Sequence, residues 1–511
     1  MPRTRTTGIL LALAALIGGL TAGPVAPAGA APAMSAPAVA AAVSSTPTLR
    51  SWVLHQTKLV ANHYFSSSAT NGWSWATYFQ GNQALYGTAG DDAYLNRSIT
   101  WGTANRWVLG TELPVADRFT AGQVYMDTYG GVGGRIAENE RAVTARLSGD
   151  NRLTPFIDGM FMVLPDFAKV RTRTKNQAYS TKLRDYFVFA RDDATGSFPG
   201  SGRPDCTGYP KGLRDPATGL WWRDCIAKGP AANGAFWGRG NGWVMASMAR
   251  VLGELPATDP YRGDYVQALT TLAEALRLRQ SSQDGMWRTD LANPARFPAP
   301  EVSASALIAF GMAYGIRAGL LDRSVYGPVV ARAWNGIRQF IGADGTVSNC
   351  QDTGFEPGPI GRTQPFCAGA VVLAGSEISL LYPDLALGRP VTSASGGNPA
   401  YLVDGNRSAV WVAAAGYPRG AVVDLGSTRV VSSSYLIGYL DRAYKYRIDV
   451  ATAGPAGPWR TVLDRTGNVV TGSNNEWFAD TAARWVRLTV TGGPSGVNQV
   501  SIEEFGLYHV W

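Results

Sequence analysis

The chain has 511 residues, of which 45% are hydrophobic and 16% are charged, and its formal net charge is +8. This composition excludes a disordered chain, and the length is sufficient for more than one domain. The basic residues are scattered without a run, which argues against a nucleic-acid-binding protein.

Residues 1–31 predict a secretory signal peptide. Arg3 and Arg5 supply a positive start, and Gly8–Leu20 form an apolar run that is too short to span a bilayer comfortably. The Ala-, Pro- and Ser-rich residues 32–47 predict a flexible linker. We therefore expect a secreted, extracellular protein that has no membrane partner.

Residues 48–382 carry twelve helical segments, and strand alternation is scarce among them. Twelve helices paired by short turns predict six hairpins closed into an (α/α)6 barrel, which we expect over residues 48–383. Pro165 falls inside the sixth segment, where a proline should kink or break a helix. The segments are Leu49–Tyr64, Trp73–Leu85, Asp92–Trp107, Asp117–Tyr129, Arg135–Leu147, Asp158–Val170, Lys175–Arg191, Gly242–Leu255, Tyr261–Leu278, Val302–Gly319, Val325–Phe340 and Ala368–Leu381.

Four cysteines suit an exported protein and allow three disulfide connectivities. Local pairing is favoured, because each pair then closes one stretch rich in loops, glycine and proline. Zinc is the competing interpretation, but the spacings match no zinc finger. The favoured pairs are Cys206–Cys225 and Cys350–Cys367.

From residue 385 the pattern changes to short β-rich runs, such as Ala421–Leu425 and Trp485–Val490, separated by Gly, Pro, Asn and Asp. This pattern is typical of an antiparallel β-sandwich. We therefore predict a multidomain chain, in which the all-α barrel is followed by an all-β domain over residues 386–511.

The stretch Phe236–Trp243, FWGRGNGW, concentrates glycines, tryptophans and one arginine before a helix predicted from near Gly240. Glycine tolerates positive φ and a close ligand, tryptophan stacks on sugars, and arginine binds a carboxylate with two nitrogens. The free N–H groups at the start of a helix favour an anion. The alternative is a glycine-rich loop whose aromatic side chains cap a core.

Several motifs occur in an order that resembles a known family. They are Asp158–Met162, Gly219–Asp224, Phe236–Trp243, Asp284–Arg288, Pro300–Ala306 and Ala333–Gly336. Together they resemble glycoside hydrolase family 105, the unsaturated rhamnogalacturonyl hydrolases, which is close to family 88. The resemblance covers most of residues 50–382, implies an (α/α)6 barrel in agreement with the helix count, and implies no metal for catalysis.

The resemblance also implies an unusual reaction. Polysaccharide lyases leave a 4,5-unsaturated uronic acid at the non-reducing end of their products, and the family removes it by hydrating the double bond. An acid protonates C4, water adds at C5, and the hemiketal collapses to release the next sugar. One carboxyl group must deliver a proton and then activate water. We expect acidic oligosaccharides from rhamnogalacturonan, and thus pectin degradation.

Asp158 lies in the motif that resembles the family's catalytic acid/base and is the predicted catalyst. Asp117 resembles a second acidic position at the start of an inner helix, where it would tune Asp158 or hold the substrate. Either aspartate has the alternative role of a helix N-cap. Arg118 stands where many relatives have a second aspartate.

The resemblance also suggests the substrate contacts. Arg239 is the predicted clamp for the uronate carboxylate, with Trp243 one helical turn later on the same face. Trp237 and Trp222 are predicted stacking surfaces. The alternative for each of these tryptophans is a place in the barrel core.

The chain has three histidines, and none falls in the predicted mouth loops. This scarcity argues against a Ser-His-Asp triad and against a metal centre built on histidine. A role that some relatives give to histidine therefore passes to Arg223. The alternative for Arg223 is a plain salt bridge with Asp224.

The second domain has its own resemblance. Its motifs are Leu385–Ser395, Tyr401–Asn406, Trp411, Val423–Gly426 and Ser501–Phe505. Together they resemble a discoidin-type (coagulation factor 5/8 type C) sandwich, which implies polysaccharide binding. The resemblance also implies a structural calcium held by Asp404, Asn406 and Glu504. The alternative for the Asp-Gly-Asn sequence is a tight turn.

Two other functions remain open. One is an inverting glycosidase that uses Asp158 and Asp117 on saturated chains. The other is a sugar-binding protein with an inactive barrel.

Overall fold

The computed structural model describes most of the chain after the predicted signal and linker. The described residues are 50–89, 91–112, 115–129, 133–152, 154–198, 205–228, 235–353, 358–406, 408–471 and 473–509. The predicted signal peptide 1–31 and the linker 32–47 therefore lie outside them. Within these ranges, no helix has both the length and the apolar character that a membrane crossing requires.

Twelve α-helices occupy the described residues between 50 and 379, as the sequence predicts. Most of their ends lie within a few residues of the predicted ones, since hydrophobic periodicity marks the middle of a helix better than its ends. The helices are α1 (Arg50–His63), α2 (Trp73–Ala89), α3 (Asp92–Ala104), α4 (Phe119–Asp127), α5 (Ala137–Ala145), α6 (Gly159–Thr174), α7 (Gln177–Val188), α8 (Gly238–Glu254), α9 (Arg262–Arg277), α10 (Val302–Arg317), α11 (Arg323–Ile337) and α12 (Pro365–Ser379).

The even-numbered helices form a closed inner ring, in which each packs against the next and α12 packs against α2. The odd-numbered helices lie outside this ring against their chain neighbours, so the (α/α)6 barrel is confirmed. Helices α8, α10 and α12 are buried along nearly their whole length. Each inner helix is followed by an outer one that runs back. All six inner helices therefore begin at one end of the barrel, which we call the mouth.

Pro165 lies inside α6 without ending it, so the break that the sequence allowed does not occur. Proline has no N–H, so it cannot donate to the carbonyl of Phe161 four residues earlier. The side chain of Gln123, on the neighbouring α4, takes this place. Its Nε2 donates hydrogen bonds of 2.9 Å to the carbonyls of Phe161 and Met162. A neighbouring helix thus satisfies the backbone that the proline leaves unpaired.

Both predicted disulfides are present, Cys206–Cys225 and Cys350–Cys367. The second joins a short two-stranded sheet, β1 (Cys350–Gln351) and β2 (Ile360–Gly361), to the first turn of α12. It thereby anchors the connection between α11 and α12 at the mouth.

The C-terminal domain is all β, as predicted. Its strands pair antiparallel in the order β4-β9-β5-β8-β6-β7, with β3 beside β5. Alternation sets the register: Val423 on β5 lies opposite Val486 on β8, and both are buried. The strands are β3 (Val391–Thr392), β4 (Trp411–Ala415), β5 (Arg419–Gly438), β6 (Lys445–Ala451), β7 (Arg460–Arg465), β8 (Ser473–Gly492) and β9 (Gln499–Tyr508).

Candidate active site

Asp158 stands at the first turn of the inner helix α6. Its Oδ1 accepts a 3.2 Å hydrogen bond from the backbone N–H of Gly159, so it is an N-cap, as the alternative interpretation held. The residue is also partly exposed at the mouth, so capping and catalysis do not exclude each other. Burial raises the pKa of its carboxyl, against the opposing positive charges of Arg223 and Arg239.

Asp117 lies in the single 3-10 turn, Val115–Arg118, that leads into the inner helix α4. Thr120 joins this turn to α6, because its hydroxyl contacts both the carbonyl of Asp117 at 2.8 Å and the sulfur of Met162 at 3.0 Å. Burial, with the negative charges of Asp158 and Glu112, raises the pKa of Asp117 to about 8. The structure therefore brings the two predicted carboxyl groups into one electrostatic unit.

A third carboxyl group, Glu112, borders this pair and was not found from the sequence. Its Oε2 accepts a 2.8 Å hydrogen bond from the backbone N–H of Trp73 at the start of α2. Burial raises its pKa. The side chain of Arg118 binds the main chain, since its Nε donates to the carbonyl of Glu112 at 2.7 Å. The charges that act on the pKa of Asp117 are those of Asp158 and Glu112, both negative, which favours its protonated form.

Arg223 combines a salt bridge with one uncommitted nitrogen. Its Nε and Nη2 donate to Oδ2 of Asp224 at 3.0 and 2.7 Å, and the side chain is 6% exposed. Its Nη1 is buried and has no hydrogen-bond partner among the described residues. The carbonyl of Arg223 accepts from the backbone N–H of Ile157, next to Asp158. A guanidinium edge that can bind an anion therefore lies beside the predicted catalyst.

Arg239 is 2% exposed, and its guanidinium group is already hydrogen-bonded to the main chain. Its Nη1 donates to the carbonyl of Gln351 at 2.6 Å, and its Nη2 donates to the carbonyl of Asp352 at 2.9 Å. The guanidinium group also lies within 5 Å of the ring centres of Trp237 and Phe366. Both terminal nitrogens are thus engaged, so this geometry does not favour the predicted grip on a uronate carboxylate.

Gln351 connects three parts of the mouth, and no sequence motif pointed to it. Its carbonyl accepts from Arg239, and its side-chain oxygen accepts from the indole N–H of Trp237 at 2.8 Å. Its own N–H donates to Glu301, the buried N-cap of α10, at 3.0 Å. No local sequence pattern identifies Gln351, because its hydrogen-bond partners lie 50 to 114 residues away in the chain.

The predicted stacking tryptophans separate into two groups. Trp243 is 1% exposed and packs against Phe161 with ring centres 4.6 Å apart, and Trp237 is also buried. Neither offers a face to a ligand in this geometry, so both fit the alternative of a place in the barrel core. Trp222 is partly exposed and stacks on Phe236 with ring centres 3.8 Å apart. It is the one of the three that presents an aromatic surface.

The glycines of the FWGRGNGW stretch serve packing. Helix α8 begins at Gly238, earlier than predicted, and none of its first three glycines has positive φ. A Cβ at Gly238 would lie 2.3 Å from the carbonyl oxygen of Arg288, and one at Gly242 would press on Leu307 at 3.0 Å. The glycines therefore allow α8 to approach its neighbours closely.

The three predicted calcium ligands lie in different settings. Asp404 and Asn406 are exposed, and each side chain accepts a turn hydrogen bond, from the N–H groups of Asn406 and Ser408. Glu504 is buried in β9. Over the described ranges, no group of three or more His, Cys, Asp or Glu side chains is placed to hold a metal. The turn fits the alternative interpretation, and calcium binding stays a prediction.

Comparisons with known proteins agree with this architecture. An "Unsaturated 3S-rhamnoglycuronyl hydrolase" of Alteromonas sp. (strain LOR) is 36% identical over 165 residues, 31% of this chain and 40% of the relative. The chain thus spans less than half the length of this relative. "Unsaturated rhamnogalacturonyl hydrolase YesR" of Bacillus subtilis (strain 168) is 26% identical over 291 residues, 54% of this chain and 78% of the relative.

A solved structure, "Glycosyl hydrolase family 88 from Bacteroides vulgatus", has a TM-score of 0.58 and 27% identity, covering 65% of this chain and 99% of that chain. The family description "Glycosyl Hydrolase Family 88" matches residues 48–382, and "F5/8 type C domain" matches residues 390–505. The first match spans well over half of the sequence. The chain therefore belongs to glycosyl hydrolase family 88 and ends in an F5/8 type C domain.

Proposed function

We propose that the barrel removes a 4,5-unsaturated uronic acid from the non-reducing end of lyase-generated oligosaccharides by hydrating its double bond. The observation that carries the proposal is the electrostatic interaction of Asp158 with Asp117, beside Arg223, whose buried Nη1 has no hydrogen-bond partner among the described residues. A proton donor and a cation for the uronate are then present in one mouth. The relatives' names, which refer to unsaturated uronides, support the same reaction class.

Asp158 is the proposed acid. The pKa of Asp117 is raised to about 8, so the pair holds a proton at neutral pH, and the raised pKa of Asp158 favours transfer of that proton to Asp158, which acts as the acid. Delivery of this proton to C4 leaves a carboxylate on Asp158. The N–H of Gly159, the start of α6 and the charges of Arg223 and Arg239 stabilise this anion. The same carboxylate then takes a proton from the water that adds at C5, and the hemiketal collapses.

Arg223 is the proposed uronate ligand, and Arg239 is a positioning residue. The carboxylate accepts a hydrogen bond from the unpaired Nη1 of Arg223, which removes the cost of a buried donor without a partner. Arg239 keeps its positive charge near Asp158 while its nitrogens donate to the carbonyls of Gln351 in β1 and of Asp352 after it. Trp222 supplies the exposed aromatic surface for a sugar ring.

The proposed substrate class is a rhamnose-containing uronide, with rhamnogalacturonan as the first choice. Both relatives' names refer to unsaturated uronides of rhamnose-containing glycans. Secretion is proposed together with it, because two disulfides suit an oxidising exterior.

The test follows the ultraviolet absorbance of the conjugated double bond in lyase-treated rhamnogalacturonan. Wild type is expected to remove the absorbance, and Asp158→Asn is expected to slow the loss by about 100-fold or more. Asp322→Asn is the matched control, because Asp322 is also an aspartate N-cap, but at the outer helix α11. It is expected to match wild type.

Three outcomes would contradict the proposal. No loss of absorbance with wild type across a panel of lyase-derived uronides would exclude hydration. Cleavage of saturated chains alone would favour an inverting glycosidase. Equal activity in wild type and Asp158→Asn would remove Asp158 from the reaction.

A further inference from the structure

A buried carboxyl group and a buried amide meet between two helices of the barrel. Asp166 on α6 and Asn139 on α5 are both fully buried. The Nδ2 of Asn139 donates a 2.8 Å hydrogen bond to Oδ1 of Asp166. The amide also packs on α4, because a Cβ added at Gly122 would lie only 2.1 to 2.5 Å from its oxygen, carbon and nitrogen. Three helices thus enclose the two groups.

The remaining oxygen of each group lacks a hydrogen bond. Oδ2 of Asp166 and Oδ1 of Asn139 are buried, and neither has a hydrogen-bond partner among the described residues. A buried acceptor without a partner is costly, and two of them in one pair of side chains require an explanation. The oxygens of an ionised carboxylate and of an amide can only accept. A proton on Oδ2 of Asp166 makes that oxygen a donor, so one further hydrogen bond would satisfy both atoms.

The charges around Asp166 on α4, α6 and α8 balance one another. Lys169 on α6 pairs with Asp127 on α4 and with Glu254 on α8. Arg250 on α8 pairs with the same Asp127 at 3.4 Å. Two cations therefore face two carboxylates, and no net positive charge remains to stabilise a buried anion at Asp166. Burial raises the pKa of Asp166 well above its ordinary value, against the hydrogen bond that it accepts and the charges of Lys169 and Arg250.

We propose that Asp166 is a neutral carboxylic acid in the folded protein and donates a hydrogen bond from Oδ2 to Oδ1 of Asn139. The two side chains then form an acid–amide pair with two hydrogen bonds. At alkaline pH the acid loses its proton to solvent, the second hydrogen bond breaks, and a buried anion lies beside the amide oxygen. The acid–amide pair therefore makes the contact between α5 and α6 sensitive to alkaline pH. Because α6 follows directly on Asp158, the same ionisation weakens the support of the predicted catalyst.

Exchange of the two groups tests the pair. Asn139→Asp places two carboxyl groups together, and its midpoint of thermal unfolding, Tm, is expected to fall by about 5 °C or more at pH 7, because a buried negative charge results. Adding Asp166→Asn restores an acid–amide pair with the acid on α5, so most of the loss should be recovered. Asn96→Asp, at an exposed position of α3, is the control for an added charge and should change Tm by about 1 °C or less.

Asp166→Asn alone tests the proton. Its amide can donate to Oδ1 of Asn139 as the acid does, so at pH 5 its Tm is expected within about 2 °C of wild type. The stability that the wild-type proton contributes is full below about pH 4 and is lost as pH rises through the raised pKa. The Tm of Asp166→Asn should therefore increase relative to wild type between pH 5 and pH 9. Asp127→Asn is the contrasting control, because it removes an ion-pair partner of Lys169 and Arg250 and should lower Tm at both pH values.

Carbon-13 NMR of protein labelled at the aspartate carboxyl carbons observes the protonation state directly. The signal of Asp166 is identified by its loss in Asp166→Asn. At pH 6 this signal is expected at the chemical shift of a protonated carboxyl group, whereas an ordinary aspartate is ionised at that pH.

An ionised signal for Asp166 at pH 6 would overturn the inference. So would a loss of Tm in Asp166→Asn equal to that in Asp127→Asn, because Asp166 would then be an anion that pairs with the cations around it. Failure of the exchange to recover the loss caused by Asn139→Asp would show that the two groups do not form a pair. None of these measurements uses the barrel's reaction, so they test the inference independently of the proposed function.

Discussion

The indole N–H of Trp237 donates a 2.8 Å hydrogen bond to the side-chain oxygen of Gln351, a residue 114 positions later in the chain. Through this bond and the bond from Arg239 to its carbonyl, Gln351 joins the start of α8 to β1. The adjacent Cys350 is tied to Cys367 on α12. The charge of Arg239 near Asp158 therefore depends on a segment that is remote in sequence.

Gln351→Leu removes the acceptor of the Trp237 indole and is expected to lower kcat/KM about 10- to 100-fold, because small misplacements at a reacting centre are costly. Gln351→Glu keeps an oxygen acceptor and is expected to recover most of this loss. Steady-state kinetics on the unsaturated uronide measures both.

Gln280→Leu serves as the control, because the side chain of Gln280 also donates to main-chain carbonyls, those of Gly285 and of Val329 in α11. Its kcat/KM is expected to match wild type. Wild-type kinetics in Gln351→Leu would contradict a positioning role for Gln351.

Arg223→Lys keeps the charge beside Asp224 but removes the planar fork that offers Nη1. The KM for the unsaturated uronide is expected to rise about tenfold or more, with a smaller change in kcat, since a charge-assisted hydrogen bond is lost. Arg184→Lys is the control, because Arg184 pairs with Asp264 on the outer ring at 2.8 Å.

The methyl ester of the same uronide sharpens this test. It lacks the anionic carboxylate, so Arg223→Lys and wild type should differ less on the ester than on the acid. An equal change in KM on both substrates would show that Arg223 does not recognise the carboxylate.

Asp117 should make stability depend on pH. Its pKa is raised from 3.8 to about 8 in the folded protein, so the folded state holds this proton more tightly than the unfolded state. The stability that this proton contributes is full below about pH 4 and is lost as pH rises to about 8. Asp117→Asn cannot ionise at this position. Its free energy of unfolding should therefore rise relative to that of wild type between about pH 4 and about pH 8, and the difference should be constant at higher pH.

Denaturant unfolding of both proteins from pH 4 to pH 9 measures the difference. Asp322→Asn is the control, because hydrogen bonds from Ser324 lower the pKa of Asp322. The difference in free energy of unfolding between Asp322→Asn and wild type should be constant above pH 5. A pH-independent difference for Asp117→Asn would contradict the raised pKa.

Gln123→Leu is expected to cost about 1–3 kcal/mol of stability, because it leaves the carbonyl of Phe161 buried without a donor. In a Pro165→Ala background the restored N–H can serve that carbonyl, so Gln123→Leu should cost less there. Urea unfolding of the four proteins in a double-mutant cycle gives the coupling. Equal costs in both backgrounds would show that Gln123 does not compensate for the proline.

Local periodicity was sufficient to predict the twelve helices and the β-rich domain, and the position of the cysteines in loop-rich stretches predicted the local disulfides. The spacing of Arg239 and Trp243 also placed them on one face of a helix, and both residues do lie in α8. Periodicity does not show which residues that face of the helix contacts in the fold. The burial of Trp243 and the engagement of Arg239 depend on α12 and β1, more than 100 residues away.

Pro165 and Glu112 illustrate the same limit. The local rule for proline predicts a kinked or broken helix, and the compensating amide comes from another helix. Glu112 lies in a connection without a motif, and only the fold brings its charge next to Asp117. Residues whose function depends on a distant partner carry no local signal.

The mouth has a consequence for handling the protein. Every site residue lies on a connection that leads from an outer to an inner helix, or on the first turn after it. The opposite connections carry none of them; one is the exposed turn at Ala318 and Gly319 between α10 and α11. Exposed turns tolerate inserted peptides well. An affinity tag inserted there would immobilise the protein on a solid support with the mouth directed away from the matrix.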